Sequence, residues 1–230
     1  AVEARRMPVV ETIPLVATLA ANEFIEVNAE TDGIVKEIHF QEGQRIEAGT
    51  PLVTLDETKL RAELAEARAN AQLSQATFAR TEELFRAQLL SKQEFDQAAA
   101  TYAMNRATLE RRERDLADAR VIAPFAGITG ARRISPGQVI TRTTPLTWLV
   151  DLDIVKVEMN VPERVLSQLR PGQAVEFSVA AFPGEQFRGE VYFISPQLDE
   201  ATRTALVKAR IPNPDLRLKG GMFASLELRL

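Results

Sequence analysis

Arg80, Leu84 and Ser91 are the side chains of this sequence whose types and spacing suit a recognition surface. Residues four apart on a helix share a face, so Arg80 and Leu84 present a guanidinium and an apolar side chain together. A guanidinium offers several donors in a fixed fork, suited to the backbone carbonyls or carboxylates of a partner helix. Leu84 would add apolar contact, and the Ser91 hydroxyl a hydrogen bond. Each residue also has a plainer use. Ser91-Lys92-Gln93-Glu94 is a capping box, and a serine N-cap alone is worth about 1 kcal/mol to its helix. Leu84 has packing as its alternative role, and Arg80 that of a solvated charge.

Other chemistry is sparse. His39 is the only histidine and there is no cysteine, so a transition-metal cluster, a thiol nucleophile and a disulfide framework are excluded; His39 reads as a surface or packing residue of a strand. Met7, Met104, Met159 and Met222 are scattered, unlike a soft thioether site. The run Glu110 to Asp115 reads as a solvated helix face laced with i,i+3 and i,i+4 pairs. Trp148 reads as a core anchor. No nucleophile motif, phosphate-binding glycine loop or metal box is found, which gives no reason to expect an enzyme or a cofactor. A net charge of −4 without a basic stripe gives no footprint for nucleic acid. No apolar run approaches the roughly 20 residues that span a bilayer, and the first ten residues lack the apolar core of a signal peptide.

The elements that must position these residues follow from pattern. From Glu57 to Gln88 there is no Gly or Pro, and Ala, Leu, Glu, Gln and Arg dominate, which predicts a helix. Steps of four and three from Leu60 reach Leu64, Ala67, Ala71, Ser74, Phe78, Thr81 and Phe85, a thin seam for one partner helix. A second helix is predicted from just after Ser91 to near Arg120, with Phe95, Ala99, Tyr102, Arg106, Leu109, Glu113 and Leu116 as its seam. At ~1.5 Å per residue each helix is on the order of 45 Å long. The short connection makes them antiparallel, and Arg80, Leu84 and Ser91 fall near their junction.

The hairpin interrupts a repeat. Ala29 to Leu55 matches Ala123 to Leu149, 94 positions on, without a gap. Gly33/Gly127, Gly43/Gly137, Gln44/Gln138, Ile46/Ile140, Pro51/Pro145 and Leu55/Leu149 all coincide, and the glycines are expected at turns that require positive φ. Each half is too small to bury a core alone, so the two should pack together around the insertion. From Ile154 onward short alternating strands return, with a helix expected from Pro162 through Leu169 and turns at Pro171-Gly172 and Pro183-Gly184. They suggest an antiparallel barrel, to which the alternating stretch Pro8 to Leu19 could add a strand.

The segments DGIVKEIHFQEGQRIEAGTPLVTLD (Asp32 to Asp56) and ARVIAPFAGITGARRISPGQVI (Ala119 to Ile140) resemble the two halves of a biotinyl/lipoyl domain. Their interruption by a helical hairpin, with a barrel following, resembles the periplasmic adaptors, or membrane fusion proteins, of tripartite efflux pumps. Arg80, Leu84 and Ser91 are similar to the tip pattern of adaptors serving resistance-nodulation-division pumps. The implied fold class is α+β, elongated and multidomain: a split biotinyl/lipoyl-like β-sandwich (23–56 and 119–151), an inserted antiparallel α-helical hairpin (57–118), and an antiparallel β-barrel with one short helix (8–22 and 152–230) carrying the edge of a membrane-proximal domain. The implied function is to link an inner-membrane, proton-driven efflux transporter to an outer-membrane channel that docks on Arg80, Leu84 and Ser91. Lateral packing into a ring, trimer or hexamer, goes with it. So does a periplasmic location, attached to the inner membrane through a segment absent from this chain, and hinges near Asp56 and Ala119 and near Asn22 and Asp151. An adaptor for an ABC exporter or a metal-efflux pump stands as the alternative. A biotin or lipoyl carrier subunit stands further off, because about sixty residues replace the turn that would expose the modified lysine, and Lys59 sits inside a helix.

Overall fold

In a computed structural model, residues 12–229 are described; the expected strand positions 8–11, Met7 and Leu230 lie outside them. Two units are formed, one from Glu26 to Leu149 and one from the segments before Glu26 and after Leu149.

Strand β1 (Thr12–Asn28) contributes its last residues to the first of these units. Strands β2 (Gly33–Ile38), β3 (Arg45–Ile46) and β4 (Pro51–Leu55) follow, then helices α1 (Thr58–Arg86) and α2 (Lys92–Asp118). Strands β5 (Arg120–Ile122), β6 (Gly127–Thr129), β7 (Val139–Ile140) and the start of β8 (Pro145–Pro162) complete it. Strands from opposite sides of the hairpin pair with one another: β2 with β7 (Gly33↔Ile140), β3 with β6 (Arg45↔Ile128) and β4 with β5 (Pro51↔Ile122). The repeat is visible in the bonds themselves. Gly43 N–H donates to Thr129 O (3.0 Å) while Thr129 N–H donates to Gln44 O (3.0 Å). Their counterparts 94 positions away do the same, Gly137 to Val35 O (2.8 Å) and Val35 to Gln138 O (2.9 Å). Leu52, Val53, Leu55, Leu146 and Leu149, each at most 1% exposed, form the core that neither half could bury alone.

The turn glycines divide. Gly43 (φ 74°) and Gly137 (φ 84°) need the left-handed region, as expected. Gly33 and Gly127 do not; both lie in strands, and at Gly33 a Cβ would meet Leu55 Cδ1 at 3.0 Å, so close approach is what a side chain would disturb. Both helices stop short of expectation. α1 ends at Arg86 and α2 at Asp118, two residues inside their predicted limits. Within the hairpin Ala67, Ala71 and Ser74 are buried on the predicted seam. Phe78 stacks with Tyr102 (centroids 5.6 Å apart) and Phe85 with Phe95 (4.8 Å), so aromatic rings close the seam towards the junction. Towards the other end the seam turns polar: Arg106 and Glu113 are 65% and 49% exposed, and Arg68–Glu113 and Arg112–Glu63 ion pairs bridge the helices.

The second unit holds the rest of β1 and β8, α3 (Glu163–Leu166), β9 (Ala174–Val179), β10 (Phe187–Asp199), β11 (Thr204–Pro212) and β12 (Phe223–Arg229). Pairing runs β1-β12-β9-β10-β11-β8, and β8 also pairs with β1, closing an antiparallel barrel. Val155, Val157, Met159 and Val161 of β8 alternate inward with Val175, Phe177 and Val179 of β9 and Val207, Ala209 and Ile211 of β11. The helix predicted through Leu169 stops at Leu166, and Leu169 joins the core from the turn beyond it. β1 merges two segments the sequence suggested as separate strands, Pro8 to Leu19 and Glu23 to Asn28. The barrel also reuses a turn of the first unit. Gln44, Gln138 and Gln173 each accept, through the side-chain amide oxygen, from the backbone N–H three residues earlier, at Gln41, Ser135 and Arg170. That glutamine cap caps three tight turns in the same way.

Candidate functional site at the hairpin junction

The junction between α1 and α2 is ordered by backbone chemistry. Gln88 adopts a positive φ of 61°. Its N–H donates to Phe85 O (2.9 Å), and Leu89 N–H donates to Leu84 O (2.9 Å). These paired bonds are a Schellman closure, usually built on glycine. Ser91 then caps α2 as its sequence predicts. Glu94 N–H donates to Ser91 Oγ (3.2 Å), Ser91 N–H donates to Glu94 Oε2 (2.9 Å), and the Ser91 hydroxyl donates to the same carboxylate oxygen (2.7 Å). These bonds from Ser91 hold the Glu94 carboxyl below its ordinary value of 4.5.

The Arg80 side chain is exposed and makes no hydrogen bond or ion pair among the described residues. Leu84 is 37% exposed, one turn further on. A fixed backbone thus presents an unpaired fork of donors beside an apolar side chain, which suits recognition of a polar partner surface. Ser91 is placed differently. It lines a groove of about 940 Å³ along the hairpin, together with Thr77, Thr81, Glu94, Gln97 and Thr101, and neither Arg80 nor Leu84 borders that groove. The three expected residues therefore share one end of the hairpin but not one face. Sequence reasoning missed Leu89, which is 70% exposed at the turn; the available signal was the apolar pair Leu89-Leu90 before the capping box.

Elsewhere the single-residue expectations meet ordinary settings. Lys59 is exposed on α1 and pairs with Glu63 at 3.7 Å. His39 Nε2 lies 2.7 Å from Thr54 Oγ1. Trp148 is half-buried, and its indole lies over Gly130. Within Glu110 to Asp115, Arg112 pairs with Asp115 (3.2 Å), and Arg106 reaches Glu110 (3.1 Å) from one turn before. Among the described residues no group of three His, Cys, Asp or Glu side chains is arranged to hold a metal ion, and no helix is long and apolar enough to cross a membrane.

Comparison with known proteins adds a family. The model for the RND MFP barrel-sandwich hybrid domain matches residues 23–152, and that for the CusB-like beta-barrel domain matches 155–230. An uncharacterized protein of Haemophilus influenzae is 30% identical over 97% of this chain, and the multidrug resistance protein MexA of Pseudomonas aeruginosa is 28% identical over 89%. The chain spans 58% and 57% of the length of these two relatives. Among solved structures, a MacA-MexA chimeric protein containing the Pseudomonas aeruginosa MexA alpha-hairpin domain superposes with a TM-score of 0.83 at 20% identity, covering 96% of this chain and 79% of the chimera. It is evidence for the fold.

Proposed function

This chain belongs to the membrane fusion protein family of resistance-nodulation-division systems, and from that premise we propose that it is the central part of a periplasmic adaptor. On this reading it links an inner-membrane, proton-driven efflux transporter to an outer-membrane channel, for export of drugs or other small molecules. It associates laterally into a ring and works in the periplasm. The work is geometric and requires no catalytic step. The halves at 23–56 and 119–151 act as a biotinyl/lipoyl-like sandwich opened by the hairpin at 57–118, and the segments 8–22 and 152–230 supply the barrel side. Two sets of reciprocal hydrogen bonds across the hairpin, related to each other by the 94-residue repeat, support the split-sandwich part of the reading.

The observation that carries the proposal is the family match across residues 23–152, enclosing a hairpin whose closed end exposes Arg80, Leu84 and Leu89. Arg80 and Leu84 meet the channel, and Ser91 contributes from the groove side. The test places Arg80→Asp and Leu84→Asp in the full-length protein and measures drug susceptibility and crosslinking to the outer-membrane channel. Susceptibility should rise and crosslinking should fall while expression holds. Unchanged susceptibility and crosslinking in both variants would remove the tip assignment. A biotin or lipoyl mass on the natively expressed protein would overturn the adaptor reading itself.

A further inference from the structure

Glu57 stands where the chain leaves the strands for the hairpin, and its side chain is only 8% exposed. One carboxylate oxygen, Oε1, accepts from Arg120 Nε at 2.6 Å. The other accepts from Arg61 Nε at 2.8 Å and from the same guanidinium's Nη2. Arg120 is the first residue of β5, where the chain re-enters the strands, 63 positions from Glu57. A single anion therefore ties the outgoing passage to the returning one. Both guanidiniums are more than half exposed, at 58% and 54%; the anion is enclosed while its cations reach the surface.

Beside it Leu55 N–H donates to Ala119 O at 2.9 Å and Arg112 pairs with Glu63 at 2.9 Å, but apolar burial at this neck is thin. The only buried side chains of α1 are Ala67, Ala71 and Ser74, and α2 has none. Leu60, Leu64 and Leu116, nearest the strands, are only partly covered. The strand core around Leu52, Leu55 and Leu149, and the aromatic stack of Phe78, Phe85, Phe95 and Tyr102, lie to either side. Next to the ion triad is a cavity of about 450 Å³ lined by His39, Thr50, Pro51, Thr54, Glu57 and Arg120, which leaves room for Arg120 to swing away. Apolar packing thus stabilises each part, and polar contacts, with the enclosed Glu57 among them, join the two.

We propose that Glu57 is a clasp that fixes the direction of the hairpin on the strands of its own unit, and that opening the clasp frees the hairpin without unfolding either part. The use of that direction, aiming the tip at a channel, rests on the adaptor reading; the clasp itself does not, and its test involves no partner. The chain has no cysteine, so introduced pairs can be spin-labelled cleanly in the full chain. One pair, Glu47→Cys with Gln75→Cys, reports hairpin direction. Two control pairs, Gln75→Cys with Ala103→Cys and Glu47→Cys with Thr143→Cys, report the hairpin and the strands separately. In Glu57→Gln the first distance distribution should broaden and both controls should keep their widths. Amide exchange at Arg61, whose N–H donates to Glu57 O, should rise roughly tenfold, the loss expected from breaking a buried anion whose partners are solvated. Arg120→Ala should reproduce both effects from the other partner, and serves alone if Glu57→Gln does not fold. Unchanged direction in the folded variants overturns the proposal. Broadened control pairs overturn it as well, because Glu57 would then hold the fold and not the angle.

Discussion

Ser91 carries two assignments that one pair of substitutions separates. Ser91→Ala removes the acceptor for Glu94 N–H at 3.2 Å and the hydroxyl bond to Glu94 Oε2 at 2.7 Å, leaving only the backbone N–H bond at 2.9 Å. An N-cap serine replaced by alanine costs about 1 kcal/mol, which is about a fivefold shift in the fraying equilibrium of the first turn of α2. The seam of α2 starts at Phe95, which stacks on Phe85, so the loss should remain local to the start of the helix. Hydrogen exchange measured by NMR should show the Glu94 amide exchanging about fivefold faster, with amides beyond the first two turns unchanged. Ser91→Asn retains a good cap and should leave exchange near wild type while altering the surface of the groove. If Ser91→Ala leaves Glu94 exchange unchanged, the energetic reading of the capping box is wrong. If Ser91→Asn restores both the exchange and the channel crosslinking lost in Ser91→Ala, Ser91 acts only through its helix and leaves the docking surface.

Two further outcomes follow from contacts in the Glu26–Leu149 unit. At Gly130 a Cβ would lie 2.0 Å from Trp148 Cε2, so Gly130→Ala must displace the ring; such overpacking costs about 2 kcal/mol, or a fall in Tm of roughly 4–8 °C. Trp148 is the only tryptophan, so its emission should shift together with the melting curve, and a wild-type spectrum and Tm would refute the close approach. Stability should also fall in acid through Glu57, whose carboxyl is held below its ordinary value of 4.5 mainly by the Arg120 hydrogen bond, with Arg61 assisting against the cost of burial. A depressed carboxyl contributes in full above its unfolded value and loses that contribution as pH falls through its folded one. The difference in unfolding free energy between wild type and Glu57→Gln should therefore be flat from about pH 7 to about pH 5 and shrink below the unfolded value. A difference that grows in acid would contradict it.

How much was legible depended on the range of the interaction. The capping box at Ser91, the seam through Ala67, Ala71 and Phe78, and the inward alternation of Val155, Val157 and Met159 are written within a few positions of one another. Helix and strand periods convert such spacing directly into a shared face. The 94-residue repeat was equally readable, because two copies of one pattern demand one solution, and the paired turns at Gly43 and Gly137 bear this out. Glycine identity alone did not disclose its reason: Gly33 and Gly127 occupy strands, and only the tertiary neighbours distinguish them from turn glycines.

What only the tertiary structure decided lies in contacts between residues distant in the chain. Glu57 reads locally as an ordinary helix-start carboxylate; its burial depends on Arg120 arriving from the far side of the hairpin. Gly130 acquires its role from Trp148. The separation of Ser91 from Arg80 and Leu84 depends on how two helices are set about their common seam. Local composition determines which elements form and which stripe of each is apolar, because those preferences act over one or two helical turns. Which charge is enclosed, and which side chains end on one surface, is decided only when the chain closes on itself, since desolvation is set by neighbours in space.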